Sequence, residues 1–245
     1  DPSKSKFKKQ RNLSRLQMLI NRADVIICMS EYTKNDVEFY GDTANKPLHV
    51  IHNGTNTLTE PQLLNRSYFP AKPFIFSIGT ILPKKNFHSL LPLVQGQEQM
   101  ELVIAGRIDD VDYYQSILDT AAAMGISKNI KIVGPVSESE KSWYFTNCYA
   151  FAMPSTAEGF GLPVTEAMSV GKPLFLSGKT ALPEIGGDVA FYFDDFSPAH
   201  MKATFVDGMK QYVRLNMQDA IIKKGKAYCW DIAAMEYWKI YRSLY

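Results

Sequence analysis

Residues 154–173 read PSTAEGFGLPVTEAMSVGKP and place Glu158 and Glu166 on either side of a glycine-flanked turn. The run before it, Tyr149-Ala150-Phe151-Ala152-Met153, is continuously apolar and stopped by Pro154, which is the pattern of a strand buried on both faces. From Leu162 to Val170 apolar residues recur at helical spacing, with Pro163 in the first turn and Gly171 just past the end. The local reading is strand, glycine turn, helix.

Such a turn has a chemical use. Gly159 and Gly161 let the backbone approach a ligand, and the first amides of the following helix lack intrahelical acceptors. A helix start of this kind favours an anion, most simply a phosphate. Glu158 then lies in the loop beside the phosphates, and Glu166, one turn into the helix, can accept hydrogen bonds from a neutral diol. The plainer alternative is structural: a glutamate in the first turn of a helix stabilises the dipole and completes a cap without touching any ligand.

Working outward, the same strand–helix alternation fills the chain. Strands are expected at Phe74–Ile78, Glu101–Ala105, 130–133, 149–153, 173–176 and 190–193, with helices at 86–94, 112–124 and Glu138–Asn147 between them. Short connections and right-handed crossovers make this an α/β fold, a doubly wound parallel sheet of six strands with helices on both faces. Ligands of such sheets bind beyond the carboxyl ends of the strands. Two further strand-end loops carry candidate residues. Gly79-Thr80-Ile81-Leu82-Pro83-Lys84-Lys85-Asn86 offers an ammonium that could neutralise a diphosphate, although paired lysines are usually solvated surface. Gly134-Pro135-Val136-Ser137 offers backbone groups and an apolar wall for the edge of a base, or is an ordinary turn.

Upstream, residues 24–30 read as a buried strand, Ser30 as the cap of a helix through Tyr40, and 48–51 as a second strand closed by Asn53-Gly54, giving one βαβ unit. Its apolar strand edge needs covering, by the larger domain or by a second copy. Lys4, Lys6, Lys8, Lys9, Arg11 and Arg15, interleaved with Phe7, Leu13, Leu16, Leu19 and Ile20, make a basic amphipathic helix that packs its apolar stripe on a sheet or touches anionic lipid. Residues 55–72 hold Pro61 and Pro70, with Pro73 at their edge and little periodicity, and are the expected domain boundary. In the tail, Tyr228, Trp230, Met235, Tyr237, Trp238 and Tyr241 are expected to pack as core.

At 245 residues and 46% hydrophobic content the chain can bury a substantial core, and a net charge of +2 gives no footprint for nucleic acid. Cys28, Cys148 and Cys229 are widely spaced and read as buried thiols of a reducing compartment. They and the scattered His49, His52, His88 and His200 lack metal-ligand spacing, so no metal site is expected. No run is long enough to span a membrane and no signal-type segment opens the chain. The expected location is cytoplasmic, with peripheral contact at the inner membrane face as the alternative to packing for the basic helix.

Glu158-Gly159-Phe160-Gly161-Leu162-Pro163, followed by Glu166-Ala167-Met168 and Gly171-Lys172-Pro173, resembles the E-x7-E signature of family 4 glycosyltransferases, retaining enzymes of the two-domain GT-B fold. The likeness extends from residues 23–26 to Trp230. It implies that residues 1–60 are the end of an amino-terminal, acceptor-side Rossmann-like domain, 61–72 a linker, 73–228 the nucleotide-sugar domain and 229–245 a helix crossing back. It also implies that Glu158 contacts the transferred sugar and that the amides of Gly159, Phe160, Gly161 and Leu162 line sugar and diphosphate. Glu166 would hold the ribose, Gly79, Thr80 and Lys85 the diphosphate, and Gly134, Pro135 and Val136 the base, with Glu158 and Lys85 as the catalytic pair.

Many members carry arginine at the position of Thr80, which leaves diphosphate neutralisation here to Lys85. The Gly-Thr-Ile opening is similar to a subgroup using mannose or related donors. The resemblance implies transfer of a hexose from a GDP- or UDP-linked donor to a glycan or lipid-linked acceptor in polysaccharide biosynthesis, with no cofactor or metal. Most of the family's first domain is absent from the 245 residues, so the expected object is part of an enzyme or one half of a two-chain one. The alternative is a module that holds the donor and turns nothing over.

Overall fold

The computed structural model describes residues 6–43, 46–56, 58–59 and 68–244. Most of the expected linker, including 61–67, lies outside the described residues.

The chain opens with α1 (Lys6–Arg22), then β1 (Ile26–Cys28), α2 (Glu31–Tyr40) and β2 (Leu48–Val50). Ser30 is extended, and its hydroxyl accepts the Thr33 amide, which stops the strand and starts α2. β1 and β2 pair in parallel, as the βαβ reading requires.

The larger sheet holds β3 (Phe74–Ile78), β4 (Glu101–Ala105), β5 (Ile130–Gly134), β6 (Ala150–Met153), β7 (Leu174–Ser177) and β8 (Phe191–Phe193). All its pairings are parallel, in the order β5-β4-β3-β6-β7-β8. Alternate strand residues feed two cores. Ile75, Leu102, Ile104 and Phe175 pack on one side, against α3 (Val111–Ala123) and α7 (Pro198–Arg214). Phe74, Phe76, Val103, Phe151 and Leu174 pack on the other, against α4 (Glu138–Asn147), α5 (Leu162–Ser169) and α8 (Gln218–Gly225). Both faces being covered explains why these strands read as unbroken apolar runs. Strand order reverses between β3 and β6, so the loops after those two strands flank the crevice where such sheets take ligands.

Three expectations need correction. The helix at 86–94 is a 3-10 helix, Phe87–Val94, with Pro92 inside it, because proline has no amide for the α-helical ladder. A five-residue helix, α6 (Leu182–Gly186), and a 3-10 turn, Gly187–Val189, occur where no element was expected, being too short to show a period. The aromatic tail is not core: in α9 (Trp230–Ser243) only Ala233 is buried, while Met235 is 56% and Trp238 62% exposed. Tyr228, just before α9, does pack inside.

α1 likewise leaves Leu13, Met18 and Leu19 exposed and buries Ile20. No described helix is long and apolar enough to cross a membrane. Cys28 and Cys148 are buried as expected, whereas Cys229 is half-buried.

The carboxyl end of the sheet depends on a close backbone approach. Gly106, at φ +144°, stands so near the Gly79 carbonyl that a Cβ would lie 1.9 Å from its oxygen. Gly106→Ala should therefore cost at least about 2 kcal/mol, since both backbone strain and displacement of the β3 loop follow. A urea midpoint equal to the parent's would contradict the approach.

Candidate active site

Two loops meet over the crevice. After β3, the 3-10 turn Pro83–Lys85 ends at Asn86 in the left-handed region, φ 56°. Asn86 donates its side-chain amide to the Pro154 carbonyl at 3.2 Å, and the Lys84 carbonyl accepts the Thr156 amide at 2.8 Å. These bonds fasten the β3 loop to the loop leaving β6. They also set Lys85, whose stem lies against Gly79, with its Nζ 2.5 Å from Glu158 Oε1. Both side chains are largely shielded, at 14% and 12% exposure, so the pair is screened far less than a surface one.

The turn beyond Glu158 is held from three sides. The Glu158 amide donates to Thr180 Oγ1 at 3.0 Å, and Ser30 and Thr33 donate their hydroxyls to the Gly159 carbonyl at 2.7 and 3.1 Å. Gly161, at φ 111°, caps α5, with Pro163 in its first turn. Among the described residues, the amides of Gly159, Phe160, Gly161 and Leu162 have no acceptor. Four N–H groups are thus left at the positive end of α5, beside Lys85. Phe160 and Leu162 offer only their backbone here: the Phe160 ring is buried against Tyr228 and His52, and Leu162 packs on the same core.

Glu166 lies on α5, 3% exposed. It is not embedded among apolar groups: Lys141 of α4 meets its Oε1 at 2.7 Å and also meets Glu138 at 2.7 Å. Burial pushes the Glu166 carboxyl above the ordinary carboxylate range, partly offset by Lys141 and by a hydrogen bond from Asn56. Burial works to lower Lys141 in turn, and its hydrogen bonds with Glu138 and Glu166 override it, leaving that ammonium above its usual value. The expectation of an open diol acceptor is therefore amended: in this state a lysine occupies the carboxylate.

Gly134 ends the edge strand β5 and Pro135 and Val136 follow it, and the Gly134 carbonyl accepts the Gly106 amide at 2.8 Å. Gly106 in turn abuts Gly79, so a backbone relay links this loop with the Lys85 loop. Ser137 caps α4 and so fixes the helix that brings Lys141 to Glu166. Thr80, beside Gly79, shows no side-chain hydrogen bond among the described residues.

Sequence reasoning missed several partners. Lys141 had only an i,i+3 relation to Glu138 to announce it. Thr180, in the left-handed region at φ 58°, had no local signal. Glu184 accepts the first-turn amides of Glu31 and Tyr32 at 2.9 and 3.1 Å and lies 2.7 Å from His52 Nε2, tying the small βαβ unit to α6.

Comparison with known proteins agrees with this architecture. Residues 65–227 match the family model described as glycosyl transferases group 1, and residues 2–57 that described as glycosyltransferase family 4. The serotype-specific mannosyltransferase WbdA of Escherichia coli is 30% identical over 181 residues, covering 68% of this chain and 22% of that protein. The O-antigen chain mannosyltransferase B of Escherichia coli is 30% identical over 148 residues, 58% of this chain and 36% of that protein. The chain thus spans well under half the length of these relatives. A glycosyltransferase from Rickettsia africae ESF-5 superposes with a TM-score of 0.77 at 14% identity, over 90% of this chain and 63% of that one. Anabaena Alr3699/HepE, solved in complex with UDP and glucose, gives 0.74 at 19% identity, over 96% and 67%. The chain belongs to the glycosyl transferases group 1 family and has the parallel α/β sheet of GT-B glycosyltransferases.

Proposed function

We propose that the chain holds the donor half of a retaining hexosyltransferase, which moves a hexose from a nucleoside-diphosphate sugar to a glycan or lipid-linked acceptor. The observation that carries this reading is the meeting of Lys85 and Glu158 at the mouth of four unpaired amides, above the point where strand order reverses. Cation and amides together suit a diphosphate, and a diphosphate is the leaving group of such a donor.

In this account the diphosphate seats on the amides of 159–162 and takes Lys85 from Glu158. As the anomeric bond breaks, charge grows on the leaving oxygen, and the fixed amides and ammonium stabilise it without reorganising, a contribution of several kcal/mol. Glu158, released, accepts from sugar hydroxyls and orients the ring. Glu166 takes the ribose diol, with Lys141 and Asn56 holding its carboxylate in place. Gly134, Pro135 and Val136 form the wall for the base. Leaving-group charge is carried by side chain and backbone, so no metal is called for.

Mannose is the proposed sugar, supported by the two mannosyltransferase relatives, one of them an O-antigen chain mannosyltransferase. UDP in the Anabaena structure supports a nucleotide-linked sugar as the donor. By itself the chain is proposed to bind donor without transferring it, because the described first unit has only two strands to form an opposite wall.

Calorimetry with GDP, UDP and their hexose conjugates tests these assignments. Lys85→Ala should weaken nucleoside diphosphate by about 10- to 100-fold, the worth of a shielded charge-assisted hydrogen bond. Glu158→Ala should keep nucleoside diphosphate binding and lose the gain contributed by the sugar. Equal affinities for parent and Lys85→Ala would refute the diphosphate assignment.

Glu166 gives a pH signature. Its carboxyl is raised by burial, so it gains a proton at a higher pH than a free glutamate and loses acceptor strength there. Donor affinity should fall as pH drops through that raised value, and Glu166→Gln, already neutral, should lack this acid limb. Parallel profiles for the two proteins would exclude Glu166 from the ribose contact.

A further inference from the structure

At the opposite end of the sheet, where the strands begin, lies a cleft of about 810 Å3 that plays no part in the proposed transfer. It lies between the end of the 3-10 helix Phe87–Val94, the residues just before β4 and β6, and one face of α7. Leu93, Phe205 and Met209 form a buried apolar floor. Val206 and Val213 on α7 and Tyr149 before β6 are its exposed apolar walls, at 47%, 72% and 43%. The volume falls within the roughly 300–1,000 Å3 of ordinary ligand clefts. Exposed valines and a tyrosine around a concave floor are a cost in water that a bound apolar group would remove.

Charge distinguishes the occupant. Lys202, Lys210 and Arg214, spaced along α7 at helical intervals, line the same cleft, and no carboxylate lines it. Lys210 is 3.3 Å from Asp207, an exposed pair worth little, while Lys202 and Arg214 are in no ion pair among the described residues.

The geometry points to a binding site for a single-chain anionic amphiphile, its hydrocarbon tail on Leu93, Phe205 and Met209 and its phosphate-type head at Lys210 and Arg214, one turn apart on α7. The cleft is concave and receives one chain taken from solution, whereas a bilayer presents a flat face. The position, at the amino ends of the strands, separates it from any acceptor bound over the Glu158 crevice.

Titration of the intact chain with dodecyl phosphate, kept below its micelle concentration, should saturate at one molecule per chain, with dodecyltrimethylammonium at least about tenfold weaker. Val206→Trp, an exposed position that narrows the cleft, should reduce dodecyl phosphate affinity by at least about tenfold. Lys210→Glu combined with Arg214→Glu should invert the preference toward the cationic amphiphile. Both variants alter exposed side chains, and unchanged thermal midpoints would show that folding is intact. Equal binding of dodecyl phosphate by parent and both variants would overturn the proposal. So would binding only to phosphatidylglycerol vesicles, or a mass in light scattering that falls in Val206→Trp without any amphiphile binding, which would make this face a contact between copies.

Discussion

Lys85 and Glu158 form a shielded ion pair at the entrance to a turn whose amides have nothing to donate to, and the arrangement of both sheets' loops serves to hold that pair in place. A helix start with four idle N–H groups is unfavourable unless water or an anion satisfies them, and an anion gains from the dipole as well. The turn therefore offers an anion both unpaired N–H groups and the positive end of α5. Asn86, Lys84 and Thr156 fasten one side of it, while Thr180 fastens the other. Ser30 and Thr33 reach it from the small βαβ unit.

The two glutamates of the turn and helix share a design. Each carboxylate is mostly removed from water and each is matched by one lysine from a neighbouring loop or helix. An unpaired buried carboxylate would be costly, and a paired one is close to neutral in its net effect on stability. Such pairs are poor evidence for stability but good positioning devices: an incoming diphosphate can exchange with Glu158 on Lys85, while Lys141 keeps the Glu166 charge matched as a diol binds. On the proposed reading the free protein is already arranged for its ligand, with Glu158 standing on Lys85 where the diphosphate will be.

Much of this could be read from the chain alone. The doubly wound sheet followed from unbroken apolar runs between helical periods, and the start of α5 from Gly161 and Pro163. Glu158 and Lys85, 73 residues apart, each lie in a strand-end loop that parallel order brings to the same edge, and it was the family resemblance that implied their joint role. What stayed hidden was of two kinds. Lys141, Thr180 and Glu184 act through long-range contacts that leave no local pattern. The aromatic residues of α9 looked like core because spacing alone cannot tell a stripe that faces a sheet from one that faces water. Pro92 did announce the 3-10 turn at 87–94, and its missing amide was the signal to weigh above the apolar period.

The most direct test is the structure of the chain with a nucleoside diphosphate bound. The account predicts phosphate oxygens within hydrogen-bond distance of the amides of 159–162 and of Lys85 Nζ, with Glu158 parted from that lysine and the ribose hydroxyls on Glu166. A nucleotide found elsewhere, or seated here with the Lys85–Glu158 pair unbroken and Glu166 untouched, would contradict it.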